Sequence, residues 1–162
     1  MHVVADRAGT LSVVALKPAA GEGGAMATTD ERQAAAFTEI EDRLREIVEP
    51  LRSKLVATRD GPGDLALEIP GLEGKPWGYV AGIRRGKRYV SYYLMSVYAE
   101  PAIAAGMSPE LRRRMQGKSC FNFTRVDEPL FEELGRITTA TLEPQLAKAA
   151  EMAAAGTPTR SR

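Results

Sequence analysis

Histidine is almost missing from this chain. Only one occurs in 162 residues, His2, at the very start. A Ser-His-Asp or Cys-His pair therefore has no imidazole to use within the body of the protein. Histidine-based zinc sites fail for the same reason. Cysteine is as scarce. Cys120 stands alone, so no internal disulfide forms. That fits a reducing cytoplasm and leaves no thiol-rich metal site. An excess of charge of one sign is also absent: 22 Lys and Arg face 21 Asp and Glu. This argues against a strongly basic nucleic-acid binder at the level of the whole chain. Long apolar runs are missing too, for none approaches the ~20 residues that cross a bilayer. The patch from Leu11 to Leu16 is too short for a signal-peptide core. A chain in the cytoplasm, away from membranes, is expected.

What is present is ordinary globular material, 44% hydrophobic and 27% charged. The length suits one domain with tails. Residues 1–29, with Gly21, Gly23 and Gly24 clustered, read as an extension. Either Met26 is the natural start or the segment is a flexible tail. A domain over 30–144 follows, then an Ala-rich, mostly flexible tail over 145–162, with the end from Thr157 disordered. Within the domain, Phe37, Ile40, Leu44, Ile47, Val48, Leu51 and Leu55 share one helical face, so a helix is expected from Asp30 to Thr58. Pro50 should kink it, and Gly61-Pro62-Gly63 should end it. Strand patterns cover Leu65 to Ile69, Trp77 to Ile83 and Tyr89 to Tyr98, with Arg85-Gly86-Lys87 as a hairpin turn. Ser108-Pro109-Glu110 opens a short helix that Gly117 closes. Lys118 to Thr124 reads as the last strand, with Phe121 and Phe123 on one face and Lys118, Cys120 and Asn122 on the other. Asp127 caps a final helix carrying Leu130, Leu134, Ile137 and Thr141, which Pro144 interrupts. This order predicts an α+β fold: an antiparallel sheet of about four to five strands with two long helices packed on one face.

The segments Tyr92 to Tyr98, Ser108 to Leu111 and Arg114 to Phe123 resemble the YdhG-like family, a bacterial domain of unknown function. The likeness runs from about Phe37 to Leu142 and is most specific over Met115 to Phe123. Ser96 stands where relatives often carry proline. The resemblance implies a frataxin-like fold. It also implies, through one branch of the family, an iron-chaperone role that is not attached to the Met115–Phe123 motif.

Several residue groups are candidates for function. Glu39, Asp42, Glu46 and Glu49 form an acidic stripe on the first helix, opposite the apolar one. Such carboxylates suit ferrous iron, and Asp42 and Glu46 are a like-charge pair at a spacing that costs a helix ~0.2–0.5 kcal/mol. The alternative is a solvated face balanced by Arg43 and Arg45. A second group lies between Arg84 and Arg125, where nine cations face two carboxylates, a local bias that the balanced total hides. Arg85, Arg88, Arg113 and Lys118, interleaved with Tyr93 and other tyrosines, suit a small anionic ligand or a nucleic acid. Alternatively the tyrosines pack the sheet and the arginines are solvated. Cys120, with Lys118 expected on the same strand face, could be a reactive thiol or an inert core filler. Trp77 could line a pocket between sheet and loop. No base–nucleophile pair stands out. Glu68 or Glu100 is the best candidate for a general base. The expectation is a non-enzymatic binding or carrier module with no obligatory cofactor, for weakly held Fe2+ or for an anion or nucleic acid.

Overall fold

A computed structural model describes residues 25–156. The expectations for the first 24 residues and for Thr157 to Arg162 lie outside that range. The first helix, α1 (Thr29–Val48), starts at a capping box. The Thr28 hydroxyl accepts from Glu31 N–H at 3.2 Å, and the Glu31 carboxylate accepts from Thr28 N–H at 2.7 Å. Phe37, Ile40, Leu44 and Val48 are buried, as their spacing requires. The helix does not reach Thr58. Pro50 has no N–H to donate, so the chain tightens into a 3₁₀ turn, Glu49–Ser53, which still buries Leu51.

The residues after that turn form a strand. The sheet comprises β1 (Val56–Gly61), β2 (Asp64–Glu68), β3 (Tyr79–Arg85), β4 (Val90–Leu94), β5 (Met115–Gln116) and β6 (Cys120–Phe123). Its order is β1-β2-β3-β4-β6-β5, with every neighbouring pair antiparallel. Six strands replace the four to five expected. The two extra ones are edges whose turns had been read as helix stops. Pro62-Gly63, with Gly63 at φ 75°, is the β1–β2 hairpin loop. Gly117, at φ 78°, turns β5 into β6 rather than closing a helix.

The strand expected over Tyr89 to Tyr98 ends at Leu94, where α2 (Met95–Ala99) begins. Next come α3 (Pro101–Ala105) and α4 (Pro109–Arg114). Ser108 caps α4 as expected, accepting from Leu111 N–H at 3.1 Å and donating to Glu133 at 2.6 Å. The long helix α5 (Glu128–Ala155) runs through Pro144 without a break. Residues 145–155 are thus helix, not tail, and Ala149 is buried. Asp127 holds the N-cap position but makes no capping bond; its carboxylate lies 3.6 Å from Arg114.

One core joins the helices to one sheet face. Leu65, Leu67, Ile83, Tyr92 and Phe121 meet Ile40 and Leu44 of α1 and Leu130, Phe131 and Leu134 of α5. Tyr92, fully buried, shares a 2.9 Å hydrogen bond with Thr138. The opposite sheet face carries Arg59, Asp64, Arg84, Tyr93, Cys120 and Asn122. A bulge adds Tyr79 to it. Glu68 pairs with Tyr79 but Leu67 with Ala81, so Val80 is the extra residue. Val80 and Ala81 both join the core, and Tyr79 is turned outward over Gly82. A side chain at Gly82 would stand 1.9 Å from the Tyr79 hydroxyl. Among the described residues no helix is long and apolar enough to cross a membrane.

Candidate functional site

The Ile69–Gly78 segment is a wound loop. Ile69 N–H donates to Gly78 C=O at 2.8 Å, and three successive turns close inside it at 3.0 Å. Gly71 and Gly74 take φ of 81° and 73°, which side chains resist. The Glu68 carboxylate, buried, accepts from Gly74 N–H at 2.6 Å and from Thr58 at 2.7 Å. It anchors the loop, and both its oxygens are engaged. The loop carries Trp77 to the C-terminal half of α5.

There Trp77 and Pro76 face Met95, Tyr98 and Ala99 of α2 across a cavity of about 430 Å³. The floor is one stripe of α5: Gln145, Lys148, Ala149 and Met152, at the three- and four-residue steps of a helix face. A second cavity of about 270 Å³ adjoins it, lined by Ile103, Glu100, Thr141 and Pro144, and shares Ala99, Gln145 and Lys148 with the first. Together they make a groove between α2–α3 and α5. The lining is chiefly apolar. Two polar atoms of its side chains, Trp77 Nε1 and Gln145 Oε1, are packed out of reach of solvent and have no hydrogen-bond partner. Gln145 cannot relieve this by flipping, because its Nε2 donates to the Tyr79 carbonyl at 3.1 Å, and a carbonyl only accepts. An unmet buried donor or acceptor costs ~1–3 kcal/mol.

The residues singled out in sequence fall in separate places. Trp77 lines the groove. Lys118 lies in the β5–β6 turn, its ammonium 5.4 Å from the ring centroid of Tyr98, another groove residue. It is therefore not paired with Cys120. The half-buried thiol instead faces Asn122 Oδ1 at 3.4 Å and sits opposite Tyr93 across β4–β6. Tyr93 lines a separate cavity of about 260 Å³ on the outer sheet face with Arg59, Asp64, Tyr79 and Arg84. Burial pushes the Tyr93 hydroxyl upward, and burial pushes that of Tyr79 up to about 12. Arg85 is not available to an anion: it bonds Glu41 at 2.7 Å and Thr38 at 3.1 Å. Arg88 is exposed on the β3–β4 hairpin. Arg113 borders a polar cavity of about 580 Å³ with Arg114, Arg125, Glu110 and Asp127, and pairs with Glu110 at 3.0 Å.

The acidic stripe does not converge. Glu39 and Asp42 are exposed on α1. Glu46 bonds Arg43, and Glu49 bonds Arg52 at 2.8 Å. Among the described residues no group of three His, Cys, Asp or Glu stands close enough to hold a metal ion. Sequence reasoning missed Gln145, Lys148 and Met152, because the Ala-rich end past Pro144 reads as a frayed helix or a flexible tail. Their helical spacing was the available signal.

Fold and site together define an α+β protein with an apolar groove between its short helices and its last long one. No family model, curated protein or solved structure matches the chain.

Proposed function

We propose that this chain is a non-enzymatic, cytoplasmic binding module of the YdhG-like type, with a frataxin-like arrangement, and that it holds a small organic ligand in the Trp77 groove. The helix–sheet–helix order, with α1 and α5 on one side of an antiparallel sheet, supports the frataxin-like reading. The observation that carries the binding role is the largely apolar cavity of about 430 Å³ lined by Trp77, Met95, Tyr98 and Met152, with Lys148 as its one charged side chain. A phenol and an ammonium on an apolar wall can hold a ligand, but they do not form a base–nucleophile pair. Carriage of iron gains no support from the stripe, since Glu46 and Glu49 are engaged by arginines.

Trp77 is the only tryptophan, so ¹⁵N-labelled protein gives one indole N–H signal. A screen of neutral aromatic fragments should find compounds that shift it. Ala99→Phe, at an exposed position on the groove wall, should block them. If no fragment moves that signal, the groove is not a binding site.

A second reading rests on the cavity beside Arg113, Arg114 and Arg125. These cations face Glu110 and Asp127, so an anion held there competes with existing pairs. A labelled single-stranded oligonucleotide should then bind with steep salt dependence, weakened by Arg113→Ala with Arg125→Ala. Unchanged anisotropy at low salt removes this reading.

A further inference from the structure

We infer that α5 is hinged at Pro144, and that residues 145–155 form an arm that detaches from the sheet while the rest of the domain stays folded. This is a property of the fold and does not depend on the groove taking a ligand. Three features of the helix carry it.

The first is the backbone. Pro144 lies inside α5 and has no N–H, so the Ala140 carbonyl loses its helical donor. The proline ring also crowds that carbonyl, and the hydrogen-bond ladder is weakest there. The second is unequal burial. Before the proline, α5 buries Leu130, Phe131, Leu134, Thr138 and Leu142. Beyond it the helix buries Ala149 and half-buries Leu146. A buried methyl offsets far less of the entropy of ordering a residue than a buried leucine or phenylalanine does. Between the arm and α2–α3 lie the cavities of about 430 and about 270 Å³, where interlocked side chains would otherwise hold it down.

The third feature is the root of the arm. Gln145 Nε2 donates to the Tyr79 carbonyl at 3.1 Å, but Gln145 Oε1 is shut away from water with no donor. Detachment gives up that one bond and hydrates the whole amide together with the Tyr79 carbonyl. The polar contact nearest the hinge therefore opposes opening only weakly. Once off the sheet, an arm of about three turns is too short to keep its helix in water. Opening thus frees its backbone amides, and it removes Lys148, Ala149 and Met152 from the floor of the groove.

Residue-resolved hydrogen exchange on the full chain, repeated in rising sub-denaturing urea, tests the hinge. Amides of residues 145–152 should exchange as one group, about a hundredfold faster than those of 130–142, with the step at Pro144. Their rates should respond little to urea, since a local opening exposes little surface. Pro144→Ala, at an exposed position, restores the missing bond and should slow exchange of the arm by roughly tenfold or more. Rates that climb smoothly toward Ala155 with no step at Pro144 are ordinary end fraying and overturn the hinge. One rate and one urea slope along all of α5 make it a single unit and overturn it as well. So does an arm whose exchange Pro144→Ala leaves unchanged.

Discussion

Glu41 ties α1 to the sheet's first hairpin and to β3. Its side chain is 5% exposed. It accepts from Arg45 Nε at 3.0 Å, from Gly63 N–H at 2.8 Å and from Arg85 at 2.7 Å. Burial alone would raise its pKa. The Gly63 N–H, Arg45 and Arg85 outweigh burial and hold the carboxyl below its ordinary value. Arg45 continues the network to Asp60 at 2.7 Å and to the Gly61 carbonyl. Glu41→Gln keeps the volume but leaves two guanidinium groups under-paired beside the core. Both arginines are partly solvated, so the loss falls below that of a fully buried pair, at ~1–3 kcal/mol. Urea unfolding should show the midpoint falling with an unchanged slope. A midpoint equal to that of the parent would mean that the three bonds contribute nothing net.

The faces of β3 are set by a bulge. At β3 the extra residue Val80 turns Tyr79 outward, and only glycine at 82 leaves room for the Tyr79 hydroxyl. Gly82→Ala would also press a methyl to 2.6 Å from the Leu65 carbonyl oxygen, which is sheet backbone and cannot swing aside. The expected cost is ~2–3 kcal/mol, the upper range for overpacking. It should persist in Gly82→Ala combined with Tyr79→Phe, because the backbone clash remains. Recovery of parental stability in the double variant would place the whole conflict at the hydroxyl. Bulges of this kind leave little trace in a sequence. The α1 stripe from Phe37 to Val48 was readable because burial follows the helical period. β2, β3 and the start of β4 were readable because apolar and aromatic residues mark them. β1 was not. Val56 to Asp60 is an exposed edge with Arg59 and Asp60, so no alternation separates it from the helix before it. The end of Tyr89–Tyr98 was misread because aromatic residues favour strand by composition, while Ser96 to Val97 pack as helix, with Ser96 donating to Thr141 at 2.9 Å. Of the groove, Trp77 was visible as a lone large aromatic. Gln145 was not, since an amide draws notice only once its carbonyl is found buried without a donor.

For the molecule as a whole, these local shifts set limits of stability in both acid and alkali. On the acid side, Asp60 is held below its ordinary value by Arg52 and then Arg45, and Glu41 is lowered as described. The unfolded chain takes up those protons first as pH falls. Stability is therefore present in full above the ordinary carboxylate range and is lost below about pH 4.5. On the alkaline side the sign reverses. Burial raises Tyr79 to about 12 and raises Tyr92 as well. Unfolded tyrosines release protons near pH ~10 while the folded ones hold theirs, so stability declines from there upward. Thermal melts should be flat from about pH 5 to about pH 9 and fall on either side. Tyr93 is raised by burial too, so Tyr79→Phe removes one of three alkaline contributions and should make that limb shallower while leaving the acid limb in place. If the alkaline limb keeps its slope in Tyr79→Phe, the Tyr79 hydroxyl is solvated, and the bulge that turns it over Gly82 does not enclose it.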